Sequence, residues 1–393
     1  MPVNRHILTA FMGSIGMGMA LLNLAPILPL LQESYSVSNA RMGILVTALI
    51  LSHSFVQVPA GVVVDQIGVR WSFTLALLLG FLGNVLCIFN PAYGFILTMR
   101  ILTGLGTGLL FVAGIKYATV HTRPSRQVLV QSVFGCLINT GSAIAFLTSP
   151  ILIVYSWKLI YLFTSSFFLL PMLAVLFWGD DPLDDQGTAP QPLRSVLTVG
   201  PLWALGLSHA IFFGGMITIG TWISSYFLTS MGAVFWLHLG GLFGALIIGI
   251  SALGRFLGGV VTVWIKPRHI IQSALFVLAI CYALLGPSKE LGLVLTLFGV
   301  AALMNSITFG SVFSLAYQIM PPQSAGTAIG LVNFIASMGA LIFPIVFGYL
   351  IDITEAFKYP FLFLAVLAVL ALPPAFSLRK HAPQALGDSW IEN

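Results

Sequence analysis

Twelve long apolar runs fill almost the whole of this chain. They lie at roughly 7–31, 42–64, 72–91, 94–118, 128–154, 159–178, 198–228, 237–264, 269–286, 291–318, 325–351 and 357–377. A helix that crosses a bilayer takes about 20 apolar residues. Lipid offers no partner to a free backbone N–H or C=O, so each run must close its own hydrogen-bond ladder as a helix. The runs are continuous and do not alternate at period two, which excludes a membrane β-barrel. Only 7% of the residues are charged, where a soluble domain carries about 25%. The expected fold is therefore all-α and polytopic, with twelve transmembrane helices as two pseudo-symmetric six-helix bundles. The first run continues through Pro26 and Pro29, so it reads as a span and not as a cleaved signal. Cys87, Cys136 and Cys281 all sit in apolar runs without metal-ligand spacing and read as core residues.

The longest polar stretch, 179–197, carries four aspartates and lies midway along the chain. It reads as a linker between an N-terminal bundle, 1–178, and a C-terminal bundle, 198–380, with a tail at 381–393. With the N-terminus placed in the cytoplasm, nine Lys and Arg fall on that side: Arg5, Arg70, Arg123, Arg126, Arg194, Lys266, Arg268, Arg379 and Lys380. Four fall outside: Arg41, Lys158, Lys289 and Lys358. This bias predicts both termini inside, in a bacterial inner (plasma) membrane. The net charge of +5 comes without a basic run, so no nucleic-acid partner is expected.

The two halves resemble each other. Gly61 to Arg70, between spans two and three, superimposes on Gly259 to Arg268, between spans eight and nine, after a shift of 198 residues. That offset is about half the chain and reads as a tandem duplication, a known transporter architecture. The first loop carries Gly61, Asp65, Gly68 and Arg70, with Gln66 and Trp71 where basic residues are usual; Val263 stands where the second loop would have its acid. On span four, Arg100 is followed by Gly104, Gly106 and Gly108. With these motifs the chain resembles the major facilitator superfamily over essentially its whole length. The resemblance implies alternating access by two rocking halves, and a loop (Gly61, Asp65, Gly68, Arg70) that latches the halves on the cytoplasmic side. From the residues alone, Asp65 can pair with a nearby cation or cap span three. On that footing Asp65→Asn is expected to impair the cycle and leave expression largely intact. The dense glycine run that many drug antiporters of the family carry on span five is missing; Gly135, Gly141 and Pro150 stand there.

A charge at mid-bilayer costs at least about 2.5–3.5 kcal/mol, so each one needs a reason. All eleven acids read as loop, span-end or tail residues. The buried charges are then cationic: Arg100, Lys116 and Arg255. Arg255 corresponds to Gln57 under the 198-residue shift. It reads as a fixed cation for an anionic solute, or else as an arginine reaching for the membrane surface. Arg100 reads as an anion or coupling residue, or as a structural arginine bonded to span one near Asn23. Lys116 is expected to snorkel. His53 and His209 could carry a proton relay. Asn139, Asn305, Asn333, Tyr226 and Trp222 complete the candidate polar lining, each equally readable as interhelical glue. Glycines and prolines in 11–29 and 201–220 would let spans one and seven bend.

Two other classes can be weighed. Asp180-Asp181-Pro-Leu-Asp184-Asp185 resembles a metal–diphosphate cluster of a membrane enzyme, but such chemistry needs a second acidic cluster, and a solvated linker is favoured. A channel would show a re-entrant filter loop, and none is visible. The reading is thus a non-enzymatic secondary transporter without cofactor, a monomer moving a small organic or inorganic anion. Symport with protons is an open option. The alternative is export of amphipathic or hydrophobic compounds, which the 30 phenylalanines would suit.

Overall fold

The computed structural model describes residues 4–24, 39–180, 192–231 and 240–378. The outer part of span one, most of the linker, the loop before span eight and the C-terminal tail lie outside the described residues. Among the described residues the regular structure is helical throughout: α1 (Arg5–Leu22), α2 (Asn39–Phe55), α3 (Gln57–Ile67), α4 (Val69–Val85), α5 (Tyr93–Val120), α6 (Gln127–Tyr155), α7 (Trp157–Trp178), the short α8 (Leu193–Leu197), α9 (Gly200–Met231), α10 (Gly240–Val261), α11 (Pro267–Leu285), α12 (Leu291–Ile307), α13 (Phe309–Ile319), α14 (Ala325–Thr354) and α15 (Lys358–Ser377). Ten stretches are long and apolar enough to cross a membrane; the bent pair α2–α3 makes an eleventh, and α10 occupies the remaining place in the order.

Span two, expected as one helix, is broken. Its two pieces meet at Val56 with a bend of 49°. Pro59 is the cause on the sequence side: it has no N–H to give the Phe55 carbonyl, and its ring crowds that carbonyl. Span seven behaves in the opposite way. The glycines and Pro201 leave α9 as one helix from Gly200 to Met231, because Pro201 falls in its first turn, where a missing N–H costs nothing.

The described residues pack as two units. The first takes its residues from Met1–Arg126, Phe134–Val196 and Met320–Gly330. Here α1, α4, α5 and α7 close around Phe73, Tyr117, Phe134 and Phe168, all fully buried. The second takes Gln127–Val133, Leu197–Ile319 and Leu331–Asn393. Its core includes Tyr226 set edge-on against Phe298, Phe357 and Phe361 at 5.2–5.5 Å between ring centroids, the geometry aromatic quadrupoles favour.

Each unit contains very close backbone crossings made possible by glycines, and one crossing in each is related by the repeat. A Cβ placed on Gly61 in the first unit would lie 2.6 Å from Thr327 Cα; one placed on Gly259 in the second would lie 2.9 Å from Leu129 Cα. The same 198-residue shift that takes 61 to 259 takes 129 to 327. The repeat seen in the loops therefore extends to the segments packed against them.

Gly68 joins α3 to α4 with φ 86°, the one glycine of positive φ among the described residues. With ψ 158° it sits in an extended region that is essentially open to glycine alone, where a side chain costs roughly 1–3 kcal/mol. Gly68→Ala is expected to lower stability by that amount, read as a reduced unfolding temperature in detergent; an unchanged temperature would show that the turn relaxes freely.

Candidate functional site

The first candidate group is built on Asp65, in the last turn of α3. Its side chain is 2% exposed and accepts from every side. Lys116 Nζ, from the inner turns of α5, reaches Oδ1 at 2.5 Å. The Gly326 and Thr327 backbone N–H groups donate to Oδ1 and Oδ2 at 2.9 and 2.7 Å, and the Thr327 hydroxyl donates to Oδ2 at 2.6 Å. A buried ion costs several kcal/mol unless paired and hydrogen-bonded, and this carboxylate has both. Two expectations are corrected here. Lys116 does not snorkel: its side chain is 2% exposed, because a carboxylate waits inside. Nor does Asp65 cap span three. Gly68 turns the chain away, leaving the start of α4 without a side-chain cap, and Asp65 serves the first turn of α14, whose free N–H groups and dipole suit an anion. Arg70 Nη2 donates to the Leu176 carbonyl at 3.2 Å.

The second group lies on α10, α13 and α9, within the second unit. Arg255 is 7% exposed, and its guanidinium lies over the Phe309 ring, 4.4 Å from the centroid, within cation–π range. Arg255 thus does not reach out to a membrane surface. His209 is 5% exposed and is held by aromatic rings, edge to face with Phe313 at 5.1 Å and Phe309 at 6.4 Å, and stacked with Phe213 at 6.3 Å. Phe309 touches both the arginine and the histidine. Nearby on α12, Asn305 donates from Nδ2 to the Tyr282 hydroxyl at 3.0 Å, and the Ser251 and Ser306 hydroxyls share a hydrogen bond of 2.7 Å.

The remaining candidates are scattered. Arg100 is 2% exposed, and its Nη1 donates to the Ala20 carbonyl at 2.9 Å and to Asn23 Oδ1 at 3.1 Å, an arrangement that ties α5 to α1. His53 Nδ1 meets the Thr107 hydroxyl at 3.1 Å. Gln57, fully buried, donates to the His53 carbonyl at 3.1 Å, while its Oε1 has no partner among the described residues. Asn139 is half-buried and Asn333 buried. The Tyr226 hydroxyl donates to the Leu285 and Ser288 carbonyls at 3.4 and 3.3 Å, and Trp222 Nε1 donates to the Pro344 carbonyl at 2.9 Å. Sequence reasoning missed Phe309 and Thr327. Neither carries a motif, and an aromatic or a threonine in an apolar run ordinarily means packing.

The family model of the Major Facilitator Superfamily matches residues 8–344. The chain belongs to that superfamily and is an integral membrane protein of the secondary-transporter class. A probable nitrate transporter NarT of Staphylococcus haemolyticus (strain JCSC1435) is 23% identical over 361 residues, 88% of this chain and 90% of that protein. The NarT of Staphylococcus carnosus (strain TM300) is 23% identical over 371 residues, 91% of each. Among solved structures, the human organic anion transporter MFSD10 (TETRAN) matches with a TM-score of 0.80 and 16% identity over 95% of this chain and 100% of that one. The transporter FucP, in its outward conformation, matches with 0.77 and 16% over 95% and 99%.

Proposed function

We propose that this protein carries a small anion, nitrate or an oxyanion or carboxylate of similar size, across a bacterial plasma membrane by alternating access, with both termini in the cytoplasm. The observation that carries the reading is the buried arginine of the second unit, Arg255, lying on Phe309 beside His209. The balance of buried charge agrees with it. Among the described residues Arg100, Lys116 and Arg255 are buried, against one buried carboxylate side chain, Asp65, which Lys116 neutralises. An interior with surplus positive charge attracts an anion and repels a cation. The names of the NarT relatives support the same class of solute.

Asp65 is the latch in this reading. It holds the first turn of α14 in one state of the cycle and must let go of it in the other. The test of the substrate class is a thermal-shift screen of purified protein against nitrate, small carboxylates, neutral sugars and lipophilic drugs. A ligand that binds only the folded state raises the unfolding temperature. Stabilisation by anions supports the reading, and stabilisation by drugs alone transfers it to export of amphipathic compounds.

Proton coupling is assigned to His209. A solute anion arriving at Arg255 offsets the positive charge facing the ring and favours a proton there, so anion and proton enter together. Uptake into proteoliposomes is expected to rise when the outside is acidified, and His209→Gln to flatten that dependence. The same pH profile in the variant would remove His209 from the coupling step.

A further inference from the structure

We infer that the Ser251 hydroxyl is a second ligand of the solute anion, kept on a methionine sulfur until the anion arrives. The inference rests on the anion reading given above and extends its site by one turn of α10. Ser251 precedes Arg255 by four residues, so the two lie on one face of that helix. The facing chain, at the junction of α12 and α13, keeps a matching spacing. Ser306 meets Ser251, and Phe309, three residues on, meets Arg255. The serine pair and the arginine–phenylalanine pair are neighbouring rungs between the same two segments.

The direction of these hydrogen bonds decides what the pair is for. Ser251 and Ser306 are 2% and 1% exposed, and their oxygens lie 2.7 Å apart. A serine or threonine inside a helix commonly returns its proton to a carbonyl one turn back. Ser208 does so to Ala204 at 2.8 Å, and Thr218 to Gly214 at 2.7 Å. Ser306 turns across to α10 instead. Met216 Sδ, from α9, stands 3.2 Å from the Ser251 oxygen and 3.8 Å from the Ser306 oxygen. The nearer hydroxyl donates to the sulfur, so Ser306 donates to Ser251, and two protons run in file toward one thioether. A thioether is a weak acceptor. An anionic oxygen in its place makes a charge-assisted bond, roughly twice as strong as a neutral one. The bond from Ser306 polarises the Ser251 hydroxyl toward it.

Met216 is built to yield. It is half-buried where both serines are buried, and an unbranched thioether re-aims at little cost. It follows His209 by seven residues, two turns along the same face of α9. In the empty protein the sulfur keeps the buried hydroxyls satisfied. When an anion bridges from Arg255 to Ser251, the sulfur swings aside and an oxygen takes its place. Arg255 has no acceptor to give, and the Ser251 oxygen already accepts from Ser306. The two residues therefore select an ionised oxyanion with at least two oxygens, one for the guanidinium and one for the hydroxyl, over a protonated acid or a sugar.

The experiment titrates nitrate and acetate calorimetrically into purified full-length protein, with wild type, Ser251→Ala, Ser251→Thr, Met216→Leu and Arg255→Ala side by side. Ser251→Ala should weaken binding at least about tenfold, as loss of a hydrogen bond to a charged group does. Ser251→Thr keeps the hydroxyl and should recover part of that loss. Met216→Leu should bind at least as tightly as wild type, since no sulfur then competes for the donor. Unchanged affinity in Ser251→Ala, with binding abolished in Arg255→Ala, would overturn the role of the serine and leave the anion reading standing. Equal weakening in Met216→Leu and Ser251→Ala would show that the contact matters as packing, and would overturn it as well. Wild type that binds neither nitrate nor acetate would overturn the anion reading, and the role of Ser251 with it.

Discussion

Asp65→Asn is expected to destabilise the protein by about 3–5 kcal/mol, the usual result of removing one partner from a buried ion pair. Lys116, with a side chain only 2% exposed, would keep a charge with nothing to balance it. The expectation drawn from the sequence, impaired cycling at normal expression, is thus revised. A second substitution separates fold from function. Asp65→Asn/Lys116→Met removes both charges and should recover most of the unfolding temperature, because a well-packed apolar replacement of a buried pair is often neutral. It should not recover transport, since the two backbone N–H groups and the hydroxyl at Gly326 and Thr327 lose their charged acceptor. Thermal unfolding and proteoliposome uptake, measured on the same preparations, read the two effects. A single variant with normal stability and normal transport would sink both the pair and the latch.

Arg255→Ala is expected to abolish anion binding. Truncating one partner of a buried, hydrogen-bonded charge pair costs about 2–5 kcal/mol, or at least about thirtyfold in affinity. Arg255→Lys should fall between the two, keeping charge but losing the planar fork and most of the stacking on Phe309. Both variants are compared with wild type by calorimetric titration of nitrate. Phe309→Leu offers a control, expected to weaken binding only modestly because the charge stays. Equal affinity in wild type and Arg255→Ala would remove the arginine from the site.

The architecture was legible because lipid imposes a simple rule. Each span must be long, apolar and helical, so twelve runs and a 198-residue repeat could be counted directly. Pro59 carried the information for the break in span two, but the apolar run masked it. The buried cations were equally visible as charges in the wrong place. Their partners were not, because a partner is set by tertiary packing. Asp65 finds Lys116 51 residues away and Thr327 262 residues away, and no periodicity connects them. Asp65 could be read as a cap from its type and its loop, yet which helix it caps depends on how Gly68 turns the chain. Arg100 was visible with its partner, since Asn23 is the polar residue of span one near the same depth, and the pair is hydrogen-bonded. Asp180 read as one of four linker aspartates, and nothing in the sequence connects it to His121, to which it is hydrogen-bonded.

The most direct test of the anion reading is uptake of labelled nitrate by proteoliposomes that hold the purified protein, with an excess of unlabelled nitrate trapped inside to drive exchange. Wild-type vesicles should accumulate label above protein-free vesicles. Other small anions added outside should compete while neutral sugars do not, and Arg255→Ala vesicles should match the empty ones. Uptake that is indifferent to competing anions, or that survives intact in Arg255→Ala, would contradict an anion carrier built on that arginine.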